Sequence, residues 1–134
     1  MESLGKPKIL VVEDDLENQK FLKILLRKSF DVEISDNAEE SYSLLKTRDF
    51  DIILMDISIR GRKDGLEFTK ELKTDPLLKN IPIVGLSAHA FPRDKDNAYK
   101  AGVDLFLTKP VDANYLLENL RRISDTSKEN KSNK

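Results

Sequence analysis

Asp51-Ile52-Ile53-Leu54-Met55-Asp56-Ile57-Ser58 (DIILMDIS, residues 51–58) is the stretch whose reading decides the fold. Residues 52–55 form an apolar run with no polar alternation, the pattern of a strand buried on both faces and so of the middle of a parallel sheet. Asp56 follows at the carboxyl end of that strand. Open α/β sheets place their ligands outside the carboxyl ends of their strands, so this carboxylate is the first candidate for chemistry.

Working outward, short apolar runs recur at residues 9–12, 32–34, 81–86 and 105–107. Their spacing is that of a βα unit, too long for hairpins. Helical patterns lie between them. Phe21, Leu22, Leu25 and Leu26 mark one face of a first helix, and Asp36 with Glu39 predicts a capping box at the start of a second. Asp64 with Glu67 repeats that signal for a third. Residues 93–101 are the weakest helical stretch, ended by Gly102 at a C′ position, and Asp112 caps a last helix with a stripe of Leu116, Leu117, Leu120 and Ile123. The alternation predicts a (βα)5 flavodoxin-like fold, a three-layer α/β sandwich around a parallel sheet of order 2-1-3-4-5. That order sets the first and third strands side by side at a switch point. Residues 1–7 read as a lead-in, 8–123 as the domain, and 124–134 (SDTSKENKSNK) as a disordered tail too polar to join a core.

The 134 residues suffice for one domain that buries about two-thirds of its unfolded surface. With 23 basic and 24 acidic residues there is no global basic field, so no direct DNA binding is expected. The chain has no cysteine, which excludes thiol catalysis and thiolate metal sites. No signal-peptide core and no run near the ~20 apolar residues of a membrane span are found, which predicts a cytoplasmic protein with no membrane contact.

The first strand ends in Glu13-Asp14-Asp15, where the topology supplies a neighbour for Asp56. Like charges about 4 Å apart repel by roughly 4 kcal/mol at an effective dielectric near 20, so this cluster calls for a proton or a cation. One of Asp14 and Asp15 is expected to cap the first helix, which leaves Glu13 and Asp56 still to be explained. An all-oxygen ligand set points to Mg2+, with Mn2+ as the alternative. Ser87 ends the fourth strand with a hydroxyl suited to a phosphoryl oxygen, and Lys109 ends the fifth with a cation able to neutralise one.

With ILVVEDD (9–15), ILMDIS (53–58), DGLE (64–67), PIVGLSA (82–88) and LTKP (107–110) in order, residues 8–123 resemble the receiver domain of two-component response regulators. The resemblance implies that Asp56 is the phosphoacceptor, loaded by a histidine kinase or a histidine phosphotransfer protein. It implies that Glu13 and Asp14 hold Mg2+ with Asp56 and the backbone carbonyl of Ser58. Ser87 would be the switch hydroxyl, Lys109 the invariant lysine, and Phe106 the aromatic that turns inward when Ser87 is drawn to the phosphoryl group. The peptide between Lys109 and Pro110 is expected to be cis.

The chain also departs from the family pattern. Arg60 stands where many members have proline, the loop before DGLE is one residue longer, and Arg60, Arg62 and Lys63 form a basic lip. His89, two residues beyond Ser87, is assigned with Ser58 to tuning the loss of the phosphoryl group. The face made by the fourth helix, fifth strand and fifth helix, with Tyr99, Phe106 and Tyr115, is the expected surface for a downstream protein target or for a weak phosphorylation-dependent dimer of an otherwise monomeric chain. Rival readings are a haloacid dehalogenase phosphatase, which needs an acid where Ser58 stands, and an FMN carrier, whose phosphate Glu13-Asp14-Asp15 would repel. A degenerate receiver used only for protein contacts is the remaining alternative. The length leaves no room for an output domain, so the chain is expected to be a stand-alone receiver or a piece of a longer protein.

Overall fold

The computed structural model describes residues 5–89 and 91–132, with side chains through residue 127. Five strands alternate with five helices: β1 (Lys8–Val12), α1 (Leu16–Leu26), β2 (Asp31–Ser35), α2 (Ala38–Thr47), β3 (Ile52–Asp56), α3 (Gly65–Thr74), β4 (Ile83–Ser87), α4 (Pro92–Ala101), β5 (Leu105–Thr108) and α5 (Ala113–Ser132). All strand pairs are parallel and the order is β2-β1-β3-β4-β5, as the alternation predicts.

The central strands β3 and β4, and β1 beyond Lys8, are buried on both faces, yet the period of two divides the core. Ile9, Val11, Ile52, Leu54, Val84, Leu86 and Leu107 join the apolar cluster that includes Leu22 and Leu26 of α1 and Leu116 and Leu120 of α5. Leu10, Val12, Ile53, Met55 and Ile83 join the opposite cluster, with Leu45 of α2, Phe68 and Leu72 of α3 and Ala98 of α4. The layers are therefore α1 and α5, then the sheet, then α2, α3 and α4. None of the helices among the described residues is long and apolar enough to cross a membrane.

Capping chemistry sets most helix starts where the sequence predicts them. Asp15 caps α1, its carboxylate accepting from the Asn18 amide at 2.9 Å. Asp64 and Glu67 close a reciprocal capping box on α3, and Asp112 accepts from the Tyr115 amide on α5. The polar α4 forms a regular helix, starting at Pro92, where a missing N–H costs nothing, and ending at the left-handed Gly102.

Three expectations need correction. The cap of α2 is Asn37, whose side-chain oxygen accepts from the Glu40 amide at 2.8 Å, while the predicted cap, Asp36, accepts from the Asn37 side chain. β4 begins at Ile83, two residues later than the apolar run, because Pro82 has no amide to enter a ladder. The tail predicted to be disordered from Ser124 is helical through Ser132. Ser124 is fully buried and its hydroxyl donates to the Arg121 carbonyl, and no glycine or proline interrupts 113–132, so a nucleated helix propagates into the polar sequence. Residues 133 and 134 of that tail and residues 1–4 of the lead-in lie outside the described residues.

Candidate functional site

Parallel β1 and β3 end side by side, their register pairing Val12 with Met55, so the next residue of each chain, Glu13 and Asp56, emerges at the same edge. The Glu13 amide donates to the Ser35 carbonyl at 2.9 Å, extending the ladder one step and holding the side chain under the surface, 1% exposed. Asp15 has turned away to cap α1, which leaves Asp14 exposed at the crevice mouth. Glu13, Asp14 and Asp56 each offer a carboxylate oxygen within 4.8 Å of the other two.

Both oxygens of Asp56 are engaged. Oδ1 accepts from the Ser58 amide at 2.9 Å, and Oδ2 lies 3.3 Å from the Lys109 ammonium. That ammonium is also 3.6 Å from Glu13 Oε1. Lys109 reaches the site because β5 ends beside β4: its amide donates to the Ser87 carbonyl at 2.8 Å, and the peptide to Pro110 is cis, as expected. Ser87 is buried at the end of β4, where its oxygen accepts from the His89 amide at 3.0 Å. That bond does not use the hydroxyl proton.

Burial lifts the Glu13 carboxyl to about 7, with the charge of Asp56 pushing the same way, against the opposing pull of the Asp15 amide and of Lys109. One ammonium thus faces more negative charge than it can balance. The donor set is all oxygen, crowded and charge-deficient, and it fits a hard divalent cation such as Mg2+.

The remaining predicted residues are more scattered. Ser58 and His89 are both exposed at the rim. Phe106 is buried among the α2–α4 side cluster, and its amide donates to the Tyr99 hydroxyl at 3.1 Å. The basic lip is smaller than the sequence suggests: Arg60 and Arg62 are exposed, but Lys63 is drawn to Glu71 of α3 at 2.7 Å. Tyr99 and Tyr115 show half their surface or nearly so.

Two contacts escape sequence reasoning. The Gln19 side chain donates to the Glu13 carbonyl at 2.6 Å, and the Arg60 amide donates to Asp14 Oδ2 at 3.1 Å. The first had a faint signal, a polar residue one turn into α1 on the side facing the strand end. The second had only one, an N–H-bearing residue at Arg60 where many family members have proline, and nothing in the sequence says which oxygen that N–H meets.

Residues 9–121 match the family described as the response regulator receiver domain. The chain is 36% identical over 121 residues to hybrid signal transduction histidine kinase M of Dictyostelium discoideum, covering 86% of this chain and 5% of that protein. It is 30% identical over 114 residues to the polar-differentiation response regulator DivK of Brucella anthropi, covering 84% of this chain and 92% of that one. Its relatives thus range from a kinase of which it spans a small part to a protein of about its own extent. Among solved structures it resembles the receiver domain of a Pseudomonas aeruginosa sensor histidine kinase, which has a magnesium ion coordinated in its active-site cleft, at 28% identity and a TM-score of 0.82 over 90% of this chain and 99% of that one. With its sheet order, its acidic pocket of Glu13, Asp14 and Asp56 and this match over most of its length, the chain belongs to the response regulator receiver domain family, phosphoacceptor signalling modules of two-component systems rather than conventional enzymes.

Proposed function

We propose that Asp56 is the phosphoacceptor and that Glu13, Asp14, Asp56 and the Ser58 carbonyl hold Mg2+ beside it. The observation that carries this is the placing of Asp56 at a buried strand end between an acid pair and the Lys109 ammonium. A carboxylate oxygen of Asp56 attacks the phosphorus of a phosphohistidine. The new P–O bond forms as the P–N bond breaks, and the freed imidazole keeps the electron pair of that bond. Bound Mg2+ supplies charge neutralisation for the transferring oxygens. Lys109 adds a second positive charge from the β5 side, and the Ser87 hydroxyl donates to a phosphoryl oxygen. Water then cleaves the acyl phosphate to carboxylate and inorganic phosphate, with Ser58 and His89 at the rim setting its access.

Receiver domains pair with histidine kinases, and the donor here is a histidine kinase or a histidine phosphotransfer protein. The donor must rest on surfaces around the crevice, and α1 begins two residues after Asp14 with Leu16, Phe21 and Ile24 exposed. The output runs through α4, β5 and α5 to a protein target. Phe106 is already buried, and its amide is bonded to Tyr99, so the signal at this position runs through a repacking of this buried aromatic.

The test is incubation with a small phosphodonor such as acetyl phosphate and Mg2+, followed by mass spectrometry. Wild type is expected to gain one phosphoryl group and folded Asp56→Asn none. His89→Ala is expected to change the decay rate of the label without changing its site. An unlabelled wild type would instead support a degenerate receiver acting through protein contacts alone.

A further inference from the structure

Asp14 is the exposed member of the acidic pocket, and an exposed carboxylate on a short connection is free to turn toward bulk water. Here it does not stand alone. Its Oδ2 accepts from the backbone amide of Arg60, a residue 46 positions away in the loop between β3 and α3.

That loop is held in place beside the donating amide. Ile59, the residue before Arg60, is 2% exposed and belongs to the core cluster of the α2–α4 side, and its own amide donates to the Asp56 carbonyl at 3.3 Å. Gly61, the residue after, has a φ of 126°, a backbone angle open to glycine and strained for other residues. The Arg60 amide is therefore presented from a backbone anchored on one side and sharply turned on the other.

We propose that the Arg60 N–H is a positioning group for the cation site, fixing the Asp14 carboxylate toward Glu13 and Asp56. This rests on the reading of the acidic pocket as a Mg2+ site. A hydrogen bond to one carboxylate oxygen fixes the plane of the group, and such outer contacts are worth about 10- to 100-fold in metal affinity. Proline at this position has no N–H to give. The arginine thus matters through its backbone, and its exposed guanidinium is dispensable for this role. The loop after the phosphoacceptor and the cation site become one unit, in which cation binding and loop order favour each other.

Arg60→Ala and Arg60→Pro both remove the side-chain charge, and only the second removes the N–H. Mg2+ affinity of each, measured by isothermal titration calorimetry without phosphodonor, separates the two contributions. Wild type and Arg60→Ala are expected to agree within about 3-fold, with Arg60→Pro weaker by about 10-fold or more. Equal affinities for the two variants would overturn the proposal. Because proline can disturb the loop in other ways, amide hydrogen exchange read by NMR gives an independent arm: the Arg60 amide is expected to be protected in wild type and to lose protection in Asp14→Ala. A fast-exchanging Arg60 amide in wild type would also overturn it. Failure of wild type itself to bind Mg2+ would instead remove the cation reading, and the positioning role with it.

Discussion

Asp56 lies beside a second buried carboxyl, that of Glu13. It is 5% exposed, and it contributes to lifting Glu13 to about 7. Crowding two carboxyls at one strand edge costs the cation-free fold stability, a trade common at functional sites. Asp56→Asn keeps the shape and removes the charge, and its urea midpoint without divalent cation is expected to exceed that of wild type by about 1 kcal/mol of stability, well below the ~4 kcal/mol upper scale for close like charges. Adding Mg2+ is expected to narrow the gap, and an asparagine variant less stable than wild type without cation would refute the account. That Glu13, Asp56, Ser87 and Lys109 meet at one edge was legible because topology brings strand ends together. Gln19 and Arg60 were not, since each acts through a bond involving the backbone.

At the scale of elements, the DGLE segment shows why a helix start is part of the site. A Cβ on Gly65 would lie 2.6 Å from the Ile57 Cα and 2.7 Å from the Asp56 carbonyl oxygen, and the Gly65 amide donates to the Ile57 carbonyl at 3.1 Å. The first turn of α3 therefore sits directly on the backbone that follows Asp56. Gly65→Ala must push these atoms apart, at an expected cost of about 1–3 kcal/mol by thermal or urea unfolding. It should also slow labelling of Asp56 by acetyl phosphate in the folded fraction. Unchanged stability and labelling would show that the contact relaxes freely. Helix existence was readable from periodicity, and so were the caps at Asp64 and Asp112. The cap of α2 was misplaced by one residue because Asp36 and Asn37 both suit the role, and only local geometry chooses which oxygen meets the Glu40 amide.

For the whole molecule, the sheet order followed from the βα alternation, while the carboxyl-terminal limit of the domain did not. Composition alone cannot show that Ser124 is buried or that a polar helix rides on the apolar turns before it. A chain ending after Ser127 is expected to unfold within about 0.5 kcal/mol of the full chain, and one ending after Ile123 to lose about 1 kcal/mol or more through the buried serine and the shortened helix. Equal midpoints for the two truncations would return the limit to residue 123. The same sheet order makes β5 an outermost strand, and outermost strands invite foreign strands to pair with their free amides. The Phe106 amide points away from β4 and is already taken by the Tyr99 hydroxyl. An incoming strand would have to evict that phenol before it could extend the sheet there, so this flank is guarded against adding strands and against the aggregation that such pairing seeds.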